Sequence, residues 1–317
     1  MQNKLIRGLH HVSALADDAG RNAEFYTAVL GLRMVKKTIN YDDPGAYHLY
    51  YGNENGDPGT IMTFFPYSGM RKGRRGTGQM TVTSFSVPGN GVDYWTKRFD
   101  SMGIHYTKPA ERFNEVFIKF EDVHGLGLEL VFNDNDKRPG FTYGQIPVEY
   151  SIRGFYGVTL AEDRHERTSM LLMEGLDYKL IKQMENRIRY GVDGKLNEFV
   201  DIVYTPGAAR GLSGSGTIHH VAFATENDAT QLEARHRLVQ MGRDVTPVID
   251  RQYFHSVYFR EPGGILFEVA TVPPGFAVDE NPEHLGEELK LPKWLESERQ
   301  MIEDNLEPLR TIESLNK

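Results

Sequence analysis

Cysteine is absent from all 317 residues, which excludes disulfides, thiolate metal sites and cysteine nucleophiles together. Long apolar runs are missing as well. None reaches the length that spans a bilayer, and the start Met1-Gln2-Asn3-Lys4-Leu5-Ile6-Arg7 lacks the apolar core of a signal peptide. An excess of positive charge is the third absence. The formal charge is −8, whereas a phosphate-binding surface needs a cationic footprint, so nucleic acid is not expected as a partner. The basic run Arg71-Lys72-Gly73-Arg74-Arg75 reads as a solvated loop. With 39% hydrophobic and 25% charged residues, the composition is that of a soluble globular protein, expected in the cytoplasm and away from membranes. The length suggests about two domains.

What is present is a repeat of about seventy residues. Four segments share one order: a strand, an amphipathic helix, a glycine, then several strands. The helix-to-strand turns fall at Phe25 to Gly31, Phe99 to Gly103, Leu171 to Gly175 and Leu238 to Gly242. Glycine just past a helix end accepts the left-handed conformation that closes the helix. The segments also end alike, in short bulky strands at residues 61–66, 127–132, 199–204 and 265–270. Residues 258–268 read as a strand, a Pro262-Gly263-Gly264 turn and a second strand, which is a β-hairpin. The expectation is an α+β chain of four βαβββ modules. Residues 1–135 form an N-terminal pair, 148–273 a C-terminal pair, and the Gly- and Pro-rich stretch 133–147 links them. After Pro273-Pro274-Gly275 the repeat stops, and 274–317 reads as an acidic tail with a helix at 296–306 packed on the outside.

Two His-His pairs open equivalent strands, His10-His11 in the first module and His219-His220 in the fourth. Imidazole is the commonest side-chain metal ligand, and alternation along a strand sends the two rings of a pair to opposite faces. One ring of each pair, first or second, then points at a shared centre if the first and last modules are neighbours. Glu268, in the last strand of the fourth module, can lie beside them. Two imidazoles and one carboxylate occupy one face of an ion and leave the others open, an arrangement that suits non-haem Fe(II) acting on oxygen. Mn(II) and Zn(II) fit the same ligands. A single histidine on a strand is ordinarily a packed residue; the repetition at equivalent positions is what favours a metal.

The four modules and this His, His, Glu arrangement resemble the vicinal oxygen chelate superfamily, which includes glyoxalases, extradiol dioxygenases and fosfomycin- and bleomycin-resistance proteins. The likeness runs from about Leu5 to Thr271. Within that superfamily the chain is similar to the hydroquinone-type ring-cleaving dioxygenases, through His10-His11, His219-His220, Arg251, Tyr258 and Glu268. The resemblance implies two barrel-like domains of paired modules, with His11, His220 and Glu268 as Fe(II) ligands. It also implies His10, Ser13, His219, Arg251 and Tyr258 around them, although the family more often has Thr at the Ser13 position. Catechol extradiol dioxygenases take their first histidine from the third module, whose opening Ile152 to Gly157 has none here. One metal site is therefore expected, and Glu129, the counterpart of Glu268 in the second module, reads as a relic or a surface carboxylate.

The activity implied is oxidative cleavage of a hydroquinone-like or catecholic ring by O2, in the catabolism or detoxification of small aromatics. Tyr258 would hydrogen-bond the substrate and Arg251 would hold its negative charge, against the plainer reading of Arg251 as a surface ion pair with Asp250 or a glutamate. His10 or His219 would act as acid or base. His255 has the wrong parity and should face outward, while His48, His105, His124, His165, His236 and His284 carry no repeated context and receive no role. The aromatic-rich stretch 41–51 either walls a pocket for a planar substrate or packs in the core. Two other classes share the scaffold: a glyoxalase-like isomerase or thiol transferase, which ordinarily has a fourth ligand, and a non-enzymatic binder of a drug or quinone. A homo-oligomer is compatible with all three.

Overall fold

In the computed structural model, residues 4–141, 143–192, 195 and 197–309 are described. The four βαβββ modules are present, and their elements follow the expected order. Module one holds β1 (Leu9–Ala16), α1 (Ala19–Glu24), β2 (Arg33–Asn40), β3 (Asp43–Gly52) and β4 (Ile61–Pro66). Module two holds β5 (Gln79–Val87), α2 (Val92–Ser101), β6 (Ala110–Arg112), β7 (Glu115–Glu121) and β8 (Gly127–Phe132). In module three come β9 (Gly154–Glu162), α3 (Glu166–Met170), β10 (Tyr178–Met184), β11 (Arg187–Val192) and β12 (Phe199–Tyr204). Module four holds β13 (Thr217–Thr225), α4 (Asp228–Gln240), β14 (Ile249–Asp250), β15 (Phe254–Arg260) and β16 (Leu266–Pro274), and a last helix, α5 (Arg299–Asn305), follows. No helix among the described residues is long and apolar enough to cross a membrane.

The strands build two curled eight-stranded sheets. One runs β14-β15-β16-β13-β1-β4-β3-β2 and the other β10-β11-β12-β9-β5-β8-β7-β6. Hydrogen bonding thus joins module one to module four, and module two to module three. This pairing gives the widely separated His-His pairs their reason, because β1 and β13 are antiparallel neighbours at the centre of one sheet. Each is flanked on its other side by the last strand of its own module, β4 or β16, running parallel. The expected hairpin is the β15–β16 pair, with Tyr258 directly opposite Glu268.

The helix-closing glycines Gly31, Gly103 and Gly242 have φ of 68°, 67° and 74°, as the left-handed cap requires. Gly175 differs from the expectation. It lies inside a wide π-type turn that extends α3, and the positive φ falls two residues later, on Asp177. A Cβ at Gly175 would meet Leu171, Met241 and Leu238 at 3.1–3.3 Å, so close packing is what the glycine serves there.

The C-terminal segment returns to module one. Lys290 N donates to Lys37 O, and Ile302 and Leu306 pack on Ile39, so the outer strand β2 does not present a bare edge.

A buried pair of carboxyls, Glu162 at the end of β9 and Glu261 in the β15–β16 turn, lies where modules three and four meet. Burial, then the neighbouring Glu261 carboxylate, pushes the Glu162 pKa up from its ordinary 4.5. A raised carboxyl keeps its proton in the fold and releases it on unfolding, so stability falls as pH rises above 4.5. Glu162→Gln is therefore expected to raise the melting temperature by about 3 °C at pH 8. The gain should vanish near pH 4.5, as a thermal melt series across pH would read.

Candidate metal centre

The site begins with two irregularities. Along β1, Leu9 pairs with Phe223 and His11 with Ala222, which leaves His10 as the extra residue of a bulge. Ser13 pairs with His220 and Ala14 with Ile218, which leaves His219 as the extra residue on β13. Each bulge carries the first histidine of a pair. The strict alternation expected from the sequence fails at these two places, and consecutive rings come together instead of pointing apart. His10 Nδ1 lies 2.9 Å from His11 Nδ1, and His219 Nδ1 lies 2.8 Å from His220 Nδ1.

The second ring of each pair converges with Glu268. His11 Nε2 and His220 Nε2 are 3.1 Å apart, and Glu268 Oε2 lies 2.9 Å from His220 Nε2 and 3.4 Å from His11 Nε2. All three residues are buried. Ligand atoms at right angles on an ion with bonds of about 2.1 Å stand about 3.0 Å apart, so this triangle has the dimensions of one face of a coordination sphere.

Tautomers follow from the partners. His10 Nε2 faces the Thr271 carbonyl at 3.2 Å, and a carbonyl only accepts, so that nitrogen carries hydrogen. His10 Nδ1 is then an acceptor, His11 Nδ1 donates to it, and His11 Nε2 is left with a bare lone pair. On the carboxylate, Ser256 Oγ donates to Oε1, whereas Oε2 is buried with no hydrogen bond. Its short approach to His220 Nε2 lacks hydrogen-bond alignment. Bare lone pairs gathered in a dry place call for a cation, and the residues fit one. Burial and His11 lower the His10 pKa to about 3, and burial with its histidine neighbour lowers those of His219, to about 4, and His220, so these rings are neutral at pH 7.

A cavity of about 370 Å³ opens on this cluster. His11, His220, His219, Arg251 and Tyr258 line it, with Phe65 and Phe254 as apolar walls. Phe254 also packs on both His10 and His11, at centroid distances of 5.0 and 5.1 Å. Arg251 Nε donates to Tyr258 Oη at 3.3 Å, and its Nη2 pairs at 3.0 Å with Asp42 of module one. Arg251 is thus both a cavity residue and an ion-pair partner, though the partner is neither Asp250 nor a glutamate. His255 faces outward to Asp228 at 2.6 Å, at a register shift of the β15–β16 ladder. His10 does not line the cavity. Ser13 is buried, 2.6 Å from Thr63 Oγ1.

His48 is a cavity residue to which no role was assigned from the sequence. It lines the cavity with its Nε2 3.0 Å from Thr63 Oγ1, its Nδ1 2.8 Å from Tyr50 Oη and its ring 4.1 Å from Phe65. The available signal was strand parity: His48 and Tyr50 share a face of β3 and, with Tyr41, wall the cavity, whereas Tyr51 turns into the core.

Glu129 requires a correction, because it is fully buried rather than at the surface. Register makes it the counterpart of Glu268, since Glu129 pairs with Ser84 as Glu268 pairs with Ala222. The same register puts Val82 where His220 stands and Gly157 where His11 stands. In place of imidazoles, the Arg112 guanidinium grips Glu129 with two bonds of 3.0 and 2.8 Å, and Ser84 adds a third of 2.7 Å. Burial pushes the Glu129 pKa up, but these bonds outweigh it and hold the carboxyl below its ordinary value.

Paired βαβββ modules that gather two imidazoles and a carboxylate beside one cavity define a vicinal oxygen chelate fold. The chain belongs to the Glyoxalase/Bleomycin resistance protein/Dioxygenase superfamily, whose family model matches residues 8–269. It is 43% identical over 310 residues to a Bacillus subtilis protein named "Putative ring-cleaving dioxygenase MhqO", covering 98% of this chain and 99% of that one. It is 32% identical over 317 residues to the chlorohydroquinone/hydroquinone 1,2-dioxygenase of Sphingobium indicum, covering 97% and 96%. A crystal structure described as a "putative dioxygenase" from Bacillus subtilis superposes with a TM-score of 0.93 at 43% identity, over 97% of this chain and 99% of that one.

Proposed function

We propose that this protein is a non-haem Fe(II)-dependent dioxygenase that opens the ring of hydroquinone-like or catecholic substrates with O2. The observation that carries the reading is the buried triangle of ligand atoms on His11, His220 and Glu268, whose two histidines line an aromatic-walled cavity. These three residues would hold the metal. Fe(II) there would supply open coordination positions and the one-electron chemistry that O2 needs to react with a phenolic ring. Among the described residues no fourth histidine or carboxylate joins the cluster, which leaves the isomerase reading without its usual ligand.

The remaining residues divide by what their hydrogens do. His10 has both nitrogens engaged, so it orients His11 rather than exchanging protons. His219 is placed differently. If His220 Nε2 is bare, its Nδ1 donates to His219 Nδ1, and His219 is left with an Nε2–H at the cavity wall. That makes His219 a hydrogen-bond donor toward a substrate oxygen. Burial pushes the Tyr258 pKa up, so its hydroxyl keeps its hydrogen at the cavity wall, where its oxygen accepts from Arg251.

The deciding experiment is anaerobic reconstitution with Fe(II), then methylhydroquinone and O2. Stoichiometric O2 uptake with a ring-opened chromophore is expected, and no uptake across a panel of hydroquinones and catechols sinks the reading. Tyr258→Phe should lower kcat about a hundredfold with metal content unchanged, because a donor that strengthens with developing charge is lost.

A further inference from the structure

We propose that Asp279, in the segment beyond the fourth module, is a positioning residue for Arg251, so that the C-terminal segment is part of the ligand-binding apparatus. The inference rests on the reading above in one respect, that Arg251 faces the ligand.

Arg251 sits in the short connection between β14 and β15. Its neighbour Gln252 has a φ of 68°, a left-handed conformation that costs a residue with a side chain. Backbone bonds from Tyr253 N to Arg251 O (2.8 Å) and from Arg251 N to Phe254 O (3.0 Å) fold the turn on itself. A strained turn stays in one place only when its surroundings hold it. Asp279 does so through both carboxylate oxygens. Its Oδ2 accepts from Gln252 Nε2 at 2.7 Å and from Tyr253 Oη at 2.9 Å, the two residues that follow Arg251. Its Oδ1 accepts from Lys36 Nζ at 2.6 Å.

Lys36 is what anchors the clamp. It lies on β2 with no exposed surface, pairs with Glu280 as well, and stands 4.8 Å from the Tyr253 ring centroid. An ammonium buried this way cannot exchange its carboxylates for water, so its partners are fixed. Through Lys36 and Asp279, module one is tied to the turn of module four that carries Arg251. The same guanidinium then bridges Asp42 of module one and Tyr258 of module four across the cavity. Asp279 itself is not a cavity residue, so any effect on a ligand travels through the turn. Without the clamp, Gln252 can relax and the long arginine stem loses a fixed root, and orientation is what a fixed guanidinium contributes to binding.

A double-mutant cycle tests this on the full chain. Wild type, Asp279→Ala, Arg251→Ala and the double variant are loaded with Fe(II) under argon, and binding of 4-nitrocatechol is followed by absorbance. With O2 excluded, the result does not depend on ring cleavage. Asp279→Ala should raise Kd about tenfold alone but less than twofold in the Arg251→Ala background, since distant independent sites would add. Asp279→Glu should recover part of the loss, and all variants should bind metal as wild type does. Additive losses, a change under twofold from Asp279→Ala alone, or loss of metal in that variant overturns the proposal. A failure of the dioxygenase reading shows separately, as missing O2 uptake while the cycle holds.

Discussion

Replacing His11 by alanine is expected to remove metal and turnover together, with activity down more than about a thousandfold and the fold retained. His11 Nε2, His220 Nε2 and Glu268 Oε2 crowd within 3.4 Å, and by the tautomer argument the His11 nitrogen carries no hydrogen to share. Removing one ring relieves that crowding, at the cost of the hydrogen bond to His10 and its packing on Phe254. The two changes oppose each other, so the metal-free variant should melt within a few degrees of wild type. The metal-loaded proteins should differ sharply. A ligand present at a hundred times its Kd stabilises the fold by about 2.7 kcal/mol, so Fe(II) should raise the wild-type melting temperature and leave the variant unmoved. His10→Ala is the control. That ring orients His11 without reaching the cavity, and its loss should weaken metal affinity only about 10- to 100-fold. Elemental analysis of the two proteins separates the cases. Full metal occupancy in His11→Ala would remove this residue from the ligand set.

The repeat explains how much of this was legible. The four modules and the neighbourhood of β1 and β13 follow from pattern, because glycine turns and bulky strand ends recur at equivalent places. The bulges at His10 and His219 were not readable, since an extra residue in a ladder depends on its cross-strand partner rather than on its own side chain. Parity alone left open which ring of each pair faces Glu268, and the bulges bring the two rings of each pair together rather than to opposite faces. Arg251 finds Asp42, and His48 finds Thr63 and Tyr50, through pairings that only the closed sheet creates. Glu129 shows the limit most clearly. Its position in the repeat was visible, but its partner, Arg112, comes from the short strand β6, which no pattern marked.

That pair supports the second large expectation. Arg112→Met should cost about 3–5 kcal/mol of stability, because it leaves the Glu129 carboxylate buried without its counter-charge. Arg112 and Glu129 are 7% and 0% exposed, so water cannot substitute for the lost guanidinium. The pH dependence has a definite sign. In wild type the Glu129 pKa is held below 4.5, which contributes stability above that value and loses it as pH falls through the folded pKa. In the variant burial acts unopposed by Arg112, the pKa moves up, and stability falls as pH rises past 4.5. The gap between the two proteins should therefore be small at pH 4 and widest near neutrality, as urea unfolding at each pH would measure. Arg112→Met combined with Glu129→Leu should recover most of the loss, since an apolar pair of similar volume needs no counter-charge. If Arg112→Met costs under about 1 kcal/mol at pH 7, the guanidinium is not what neutralises this carboxylate. The expected outcome assigns the two sheets different solutions to one problem. Register places a buried glutamate at the same point in each; the second sheet sets an arginine against it, and the first sets two imidazoles beside it in an arrangement that could hold a metal ion.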